Sequence, residues 1–287
     1  MLTQKKCIVI IILIILSITA LSCSSKNIQN EHVNTEEETE SIDATIQESE
    51  SETEEETQLA KIASIADLTP GDIFPADQLD LADLSKFFIS FDIVEGDAVY
   101  NRIIGKSYQP NDNIALNDLC YLKMLHYNFD GEIQIGEMIV NQSIKQDCLE
   151  IFEELFKAQY QINRMVLIDE YWTGDSKETD AVSIKNNNTS CFIYRNMIGS
   201  SNVSKHALGL AIDINPYQNP YVPTKGGKPD YSALDENEYY YATNRSEADA
   251  HVITYSDLAY KLLKEHGFSW GGNWNSLKDY QHFEKNN

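Results

Sequence analysis

Positive charge is scarce in this chain. Across 287 residues, 22 Lys and Arg stand against 45 Asp and Glu, a formal net charge of -23. A phosphate backbone demands a basic surface, so nucleic acid is excluded as a partner. Cysteine is also sparse: Cys7, Cys23, Cys120, Cys148 and Cys191, with no CxxC spacing. That removes a thiol-rich zinc site and a thioredoxin-type redox motif. Cys120, Cys148 and Cys191, the three in the globular part, make no disulfide framework. They leave room for one pair, and buried free thiols are the simpler reading. Long apolar runs are lacking as well. Ile8 to Leu16 is almost purely aliphatic, short of the ~20 residues of a membrane-spanning helix. There is no internal repeat.

What is present begins with a leader. Lys5 and Lys6 precede the aliphatic run, and Ser17 to Ser22 is smaller and more polar. This is the three-part layout of a secretory signal, residues 1–22. Its ending, Ala20-Leu21-Ser22-Cys23, resembles a bacterial lipobox, with Ala20 where Leu is usual. The resemblance implies cleavage before Cys23 and a diacylglyceryl group on it, and two acyl chains suffice for stable anchoring. The expectation is an extracytoplasmic protein held on the membrane by lipid. Residues 23–60 follow as a linker. Between positions 24 and 60, twelve Asp and Glu face the single Lys26. Such a segment cannot bury enough apolar surface to offset its ordering entropy, and like charges extend it.

Residues 61–100 are apolar again, with helical spacing over Asp80 to Phe88 and a turn at Thr69-Pro70-Gly71, but they suggest no function. Residues 101–287 alternate helix and strand patterns. Helical spacing covers Asp118 to His126 and, more strongly, Gln146 to Tyr160. Met165 to Tyr171 reads as an apolar strand. Ser256 is the expected N-cap of a helix in which Tyr255 staples onto Tyr260, and Gly267 ends it. The expected class is α+β, a small antiparallel sheet flanked by helices.

Chemistry concentrates on two histidines. His32 lies in the linker, His266 fits a helix end, His251 reads as solvated and His126 as buried and structural. His206 and Asp213 remain, in Ser204-Lys205-His206-Ala207-Leu208-Gly209-Leu210-Ala211-Ile212-Asp213, together with His282 in Asp279-Tyr280-Gln281-His282-Phe283-Glu284. Alternation from Leu210 to Asn215 puts Asp213 on one face of a strand, with His206 on the turn leading in. Alternation also puts Tyr280, His282 and Glu284 together. If the two strands are neighbours, two imidazoles and a carboxylate converge, a set that suits zinc and leaves a position for water. Asp279 would stand nearby as a proton acceptor. The alternative is two unrelated surface histidines.

Ser204-x-His206-x-x-Gly209-x-Ala211-x-Asp213, with Trp270-Gly271-Gly272-Asn273-Trp274 and Asp279-x-x-His282-Phe283, resembles the zinc D-alanyl-D-alanine carboxypeptidases of the VanY type. Within them it is nearest the branch of endolysins that cleave L-alanyl-D-glutamate bonds. The wider group includes the VanX dipeptidases and the zinc domain of hedgehog proteins. Over residues 100–287 the resemblance implies a zinc cleft held by His206, Asp213 and His282, with Asp279 as general base. Asn188-Thr189-Ser190-x-Phe192-x-Tyr194-Arg195 is similar to the family segment whose Arg lies near the scissile carbonyl, so Arg195 is expected to steady an oxyanion. The implied substrate is the peptide stem of peptidoglycan, cut at D-Ala-D-Ala or at L-Ala-D-Glu. A zinc-bearing module without catalysis is the rival reading. No obligate protein partner is implied. The Tyr-rich stretch from Pro216 to Ala250 either lines a peptide groove or packs as loop filler, and Trp270 and Trp274 read as core.

Overall fold

The structure is a computed structural model that describes residues 64–197 and 199–286. The leader, Cys23 and the acidic linker lie outside the described residues. Among those described, no helix is long and apolar enough to cross a membrane.

Residues 64–92, which carried no functional signal, lay Ile65, Phe74, Leu84 and Phe87 into the main core. The expected helix over Asp80 to Phe88 is one 3-10 turn, Leu84–Phe87, and then strand β1 (Phe88–Asp92). A turn does form at Thr69-Pro70-Gly71, where Asp72 N–H donates to Thr69 O and Gly71 has φ +91°. Helix α1 (Ala98–Ile103) leads to β2 (Leu119–Tyr127) and β3 (Ile133–Asn141). The three strands form an antiparallel sheet in the order β1-β2-β3.

Strand β2 occupies the stretch whose spacing suggests a helix. The reason is burial on both faces. Cys120, Leu122 and Met124 join one core cluster, and Leu119 and Tyr121 join a second with Ile103, Tyr108, Leu167 and Phe192. When both faces are apolar, the period-two signature disappears and periodicity no longer separates strand from helix.

Helix α2 (Lys145–Lys157) matches the expected amphipathic helix. It buries Cys148, Ile151, Phe152, Leu155 and Phe156. The apolar run Met165 to Tyr171 is not a strand: its end is a 3-10 turn, Ile168–Tyr171. Its middle is served partly by side chains, Val166 N–H donating to Asn188 Oδ1 at 2.9 Å and Leu167 N–H to Glu137 Oε1 at 3.1 Å. Those bonds replace a ladder. Helix α3 (Ser176–Lys185) follows.

Strand β4 (Ala211–Asp213) begins the second half. The Tyr-rich stretch is not one loop. It holds β5 (Tyr221–Val222), the hairpin of β6 (Thr224–Lys225) and β7 (Lys228–Pro229), and α4 (Glu236–Thr243). Helix α5 (Leu258–Glu265) is capped one residue later than expected. Asp257, not Ser256, accepts from Ala259 and Tyr260 N–H. The Tyr255–Tyr260 staple is present at 5.4 Å between ring centroids, and Gly267 follows the helix at φ +83°. His266 meets Asp147 of α2 at 3.0 Å. Last come β8 (Ser269–Trp270), β9 (Lys278–Asp279) and β10 (His282–Glu284). They form one sheet in the order β4-β10-β8 and a pair β5-β9. The whole is α+β with small antiparallel sheets. Cys120, Cys148 and Cys191 are free and buried, and burial pushes the Cys120 thiol up to about 12.

Candidate metal centre

Strands β4 and β10 are antiparallel neighbours, with His282 directly opposite Asp213 and Phe283 opposite Ile212. Side chains of directly paired residues share a face, so Asp213 and His282 are brought together by register alone. His206 reaches them from a 3-10 turn, His206–Leu208, that ends in Gly209 in the left-handed region, φ +65°. A Cβ on Gly209 would sit 2.7 Å from Asn141 N. That close approach hangs the turn on the end of β3, where Asn141 N–H donates to Gly209 O and its side-chain amide to Leu208 O.

The three side chains are buried, and their donor atoms lie within 4.8 Å of one another. His206 Nε2 is 3.1 Å from His282 Nδ1 and 3.3 Å from Asp213 Oδ2, and His282 Nδ1 is 3.1 Å from Asp213 Oδ1. A tetrahedral zinc with ligands at about 2.0–2.1 Å requires donors about 3.3–3.5 Å apart. The set is therefore nearly at ligating separation already.

The opposite ring nitrogens are also occupied. His206 Nδ1 is 2.7 Å from the Cys191 carbonyl, and His282 Nε2 is 3.3 Å from Glu284 Oε2. Each acceptor holds an N–H and so fixes the tautomer that presents the other nitrogen to a metal. Burial alone would raise the Asp213 carboxyl, but the two imidazoles hold it well below the usual carboxylate range. Burial likewise opposes a charged His282, yet the Asp213 and Glu284 carboxylates outweigh it and push the metal-free imidazole up to about 10. A cation is thus already favoured where the three side chains meet.

Asp279 sits on β9 opposite Tyr221. Its Oδ1 is shielded and has no hydrogen-bond partner among the described residues. Burial pushes its carboxyl up to about 7, with the Asp213 charge adding to the rise and the His282 and His206 imidazoles opposing it. Gly271 makes room for this residue: a Cβ there would lie 2.8 Å from Asp279 Cβ and 3.3 Å from His282 Cβ.

Arg195 is held close by backbone contacts. Its carbonyl accepts from Ser204 N–H, and Ile193 N–H donates to His206 O. Its guanidinium pairs with Asp180 at 2.6 Å, a buried carboxylate on α3.

Other histidines and aromatics divide as follows. His126 is buried with Nδ1 3.0 Å from Ile162 O, and burial lowers it to about 4. His251 is not simply solvated. It stacks on Phe129 at 3.7 Å and meets Gln161 Oε1 at 2.9 Å. Trp270 is core, donating to Tyr280 O, whereas Trp274 lies tilted against the His282 ring at 5.3 Å. Tyr280 precedes β10, its ring against Arg245, so it does not extend the His282–Glu284 alternation. Tyr239 and Tyr240 are exposed, while Tyr221 is the member of the Tyr-rich stretch paired beside Asp279.

Sequence reasoning assigns no role to Glu284, Cys191 or Asp180, and treats Tyr221 only as one of the Tyr-rich stretch. For Glu284 a signal existed, since it stands two residues beyond His282 on the same strand face. The Cys191 contribution is a carbonyl, which no side-chain pattern encodes.

Residues 198–285 match the model of a family described as D-alanyl-D-alanine carboxypeptidase. No curated protein sequence and no solved structure matches the chain. The matched segment contains His206, Asp213, Asp279, His282 and Glu284, and it stops short of Asp180 and Arg195. Peptidases of this family depend on zinc, and the buried His-Asp-His set fits such a metal. Over residues 198–285, the part that builds the donor cluster, this chain is similar to D-alanyl-D-alanine carboxypeptidases.

Proposed function

We propose that this chain is a zinc-dependent peptidase of the cell-wall peptide stem, acting as a D-alanyl-D-alanine carboxypeptidase outside the cytoplasm from a lipid anchor at Cys23. One observation carries the reading. A buried His206-Asp213-His282 set at ligating separation stands beside Asp279, a carboxylate with an unpartnered oxygen. The localisation rests on the basic-aliphatic-polar leader and the lipobox-like ending at Cys23.

His206 Nε2, His282 Nδ1 and an Asp213 oxygen would hold zinc, which when bound supplies Lewis acidity to water and to the scissile carbonyl. The chain's own groups do the rest. The Asp279 carboxyl, raised by burial to about 7, is suited to accept the proton of the attacking water near neutral pH and return it to the leaving amine. Arg195 donates to the oxygen that gains negative charge. Gly271 packs closely on Asp279, and Trp274 lies against the His282 ring.

A second reading is L-alanyl-D-glutamate endopeptidase action on the same stem, favoured by the position of Asp279 three residues before His282. Mass spectrometry of muropeptides incubated with the zinc-loaded protein separates the two. Loss of one D-Ala marks the carboxypeptidase, and separation at the first stem residue marks the endopeptidase. Asp279→Asn should keep its zinc and lose turnover by at least about 100-fold. Muropeptides left intact by the wild type would sink both readings and leave a zinc-bearing binding module.

A further inference from the structure

Helix α3 is unusual in what it buries. Its inward residues are Thr179, Asp180 and Ser183, all polar. Buried polar groups in native proteins have partners, and the partner shows what the group is for. Thr179 Oγ1 accepts from Thr173 N–H at 3.1 Å, and Ser183 Oγ accepts from the Asn188 amide at 3.1 Å. The first ties the helix to adjoining backbone and the second to the Asn188 side chain. Asp180 is different: its Oδ2 meets Arg195 Nη2 at 2.6 Å, with both side chains about nine-tenths buried.

The guanidinium is only partly used. Nη2 is held by Asp180, Nη1 reaches Asn196 O at a long 3.3 Å, and the buried Nε has no acceptor among the described residues. A short charge-assisted bond fixes the plane of the fork. The residue's backbone is fixed too, through the bond from Ser204 N–H to the Arg195 carbonyl. Asp180 is also near enough to the metal cluster to feel the charges of His206 and Asp213. An arginine held firmly at Nη2 and only loosely at Nη1 is a donor set in place before its acceptor arrives.

We infer that Asp180 is the positioning residue for Arg195: its hold on Nη2 fixes the guanidinium that is to steady a substrate oxygen. The inference rests on the peptidase reading for the identity of that oxygen, but the clamp itself does not.

The test uses the full-length, zinc-loaded chain and the variants Asp180→Asn, Asp180→Glu, Arg195→Met and Asp180→Asn/Arg195→Met. Removing one oxyanion donor outright costs about 10²–10³ in turnover. Loosening it should therefore cost Asp180→Asn about 10–100-fold in kcat, with KM and zinc content little changed. Asp180→Glu should recover part of that loss. In the Arg195→Met background, Asp180→Asn should cost nothing further, because a residue acting only through another is non-additive with it. An unchanged kcat, or two losses that multiply, would overturn the inference.

A second readout needs no catalysis. The Arg195 Nε–H resonance of the zinc-free protein, assigned by its absence in Arg195→Met, should be sharp and slow to exchange. It should broaden or exchange fast in Asp180→Asn, or shift in Asp180→Glu should the Asn variant fail to fold. A resonance indifferent to both substitutions refutes the clamp. A wild type without turnover but with the expected resonance changes would refute the peptidase reading and leave the clamp standing.

Discussion

Glu284 touches no substrate on any reading above, yet its replacement should weaken zinc binding. Its Oε2 lies 3.3 Å from His282 Nε2 and its side chain is one-quarter exposed. The carboxylate holds the Nε2–H and so directs the Nδ1 lone pair toward His206 and Asp213. Zinc and a proton compete for that Nδ1, and Glu284 favours both. A dipositive ion feels the carboxylate more strongly than a proton does, so the net effect of its removal is weaker metal binding. Partners of ligating histidines are typically worth 10–100-fold in metal affinity. The 3.3 Å contact is longer than the 2.7–2.9 Å or so of a strong charge-assisted bond, and solvent screens it, so Glu284→Gln belongs at the low end, about tenfold or ~1.4 kcal/mol. Glu284→Ala, which removes the acceptor altogether, should exceed it. Competition against a fluorescent zinc chelator near neutral pH measures both. Zinc bound by Glu284→Ala as tightly as by wild type would show that His282 needs no partner at Nε2, and the tautomer argument would fail.

Three further outcomes are expected. His206→Ala removes one of three ligands and should lose zinc and peptidase activity while keeping its circular dichroism spectrum; stoichiometric zinc in the purified variant would remove His206 from the ligand set. Gly209→Ala should lower unfolding stability by about 2–5 kcal/mol in denaturant titrations, from left-handed strain of roughly 1–2 kcal/mol plus overpacking against Asn141 N; a change under about 0.5 kcal/mol would show that the turn gives way. Zinc affinity should weaken as pH falls. The metal-free His282 imidazole is held up at about 10, so at lower pH binding must expel its proton, at up to about tenfold in apparent Kd per unit. A pH-independent Kd between neutral and mildly alkaline buffer would mean that His282 binds no proton there.

The candidate ligands could be named from the sequence, but spacing alone left two unrelated surface histidines as the alternative, and the family resemblance is what joined them. His206 on a turn, with Asp213 and His282 on short alternating segments, needs only one strand pairing to converge, and the observed register puts His282 opposite Asp213. Helix α2 was equally legible because it buries one face. Where burial is two-sided, local pattern misleads: β2 reads as helix because neither face meets water, and Met165 to Tyr171 reads as strand because it is apolar, though side chains take up part of its backbone. What only the tertiary structure decided are the partners. The Cys191 carbonyl on His206, Glu284 on His282, Asp180 on Arg195 and Tyr221 beside Asp279 are contacts of direction and distance. Sequence names the groups able to bind a metal or move a proton. It does not specify which nitrogen faces the metal or which edge of a guanidinium stays free, because those depend on hydrogen bonds from residues that lie on other elements or belong to the backbone.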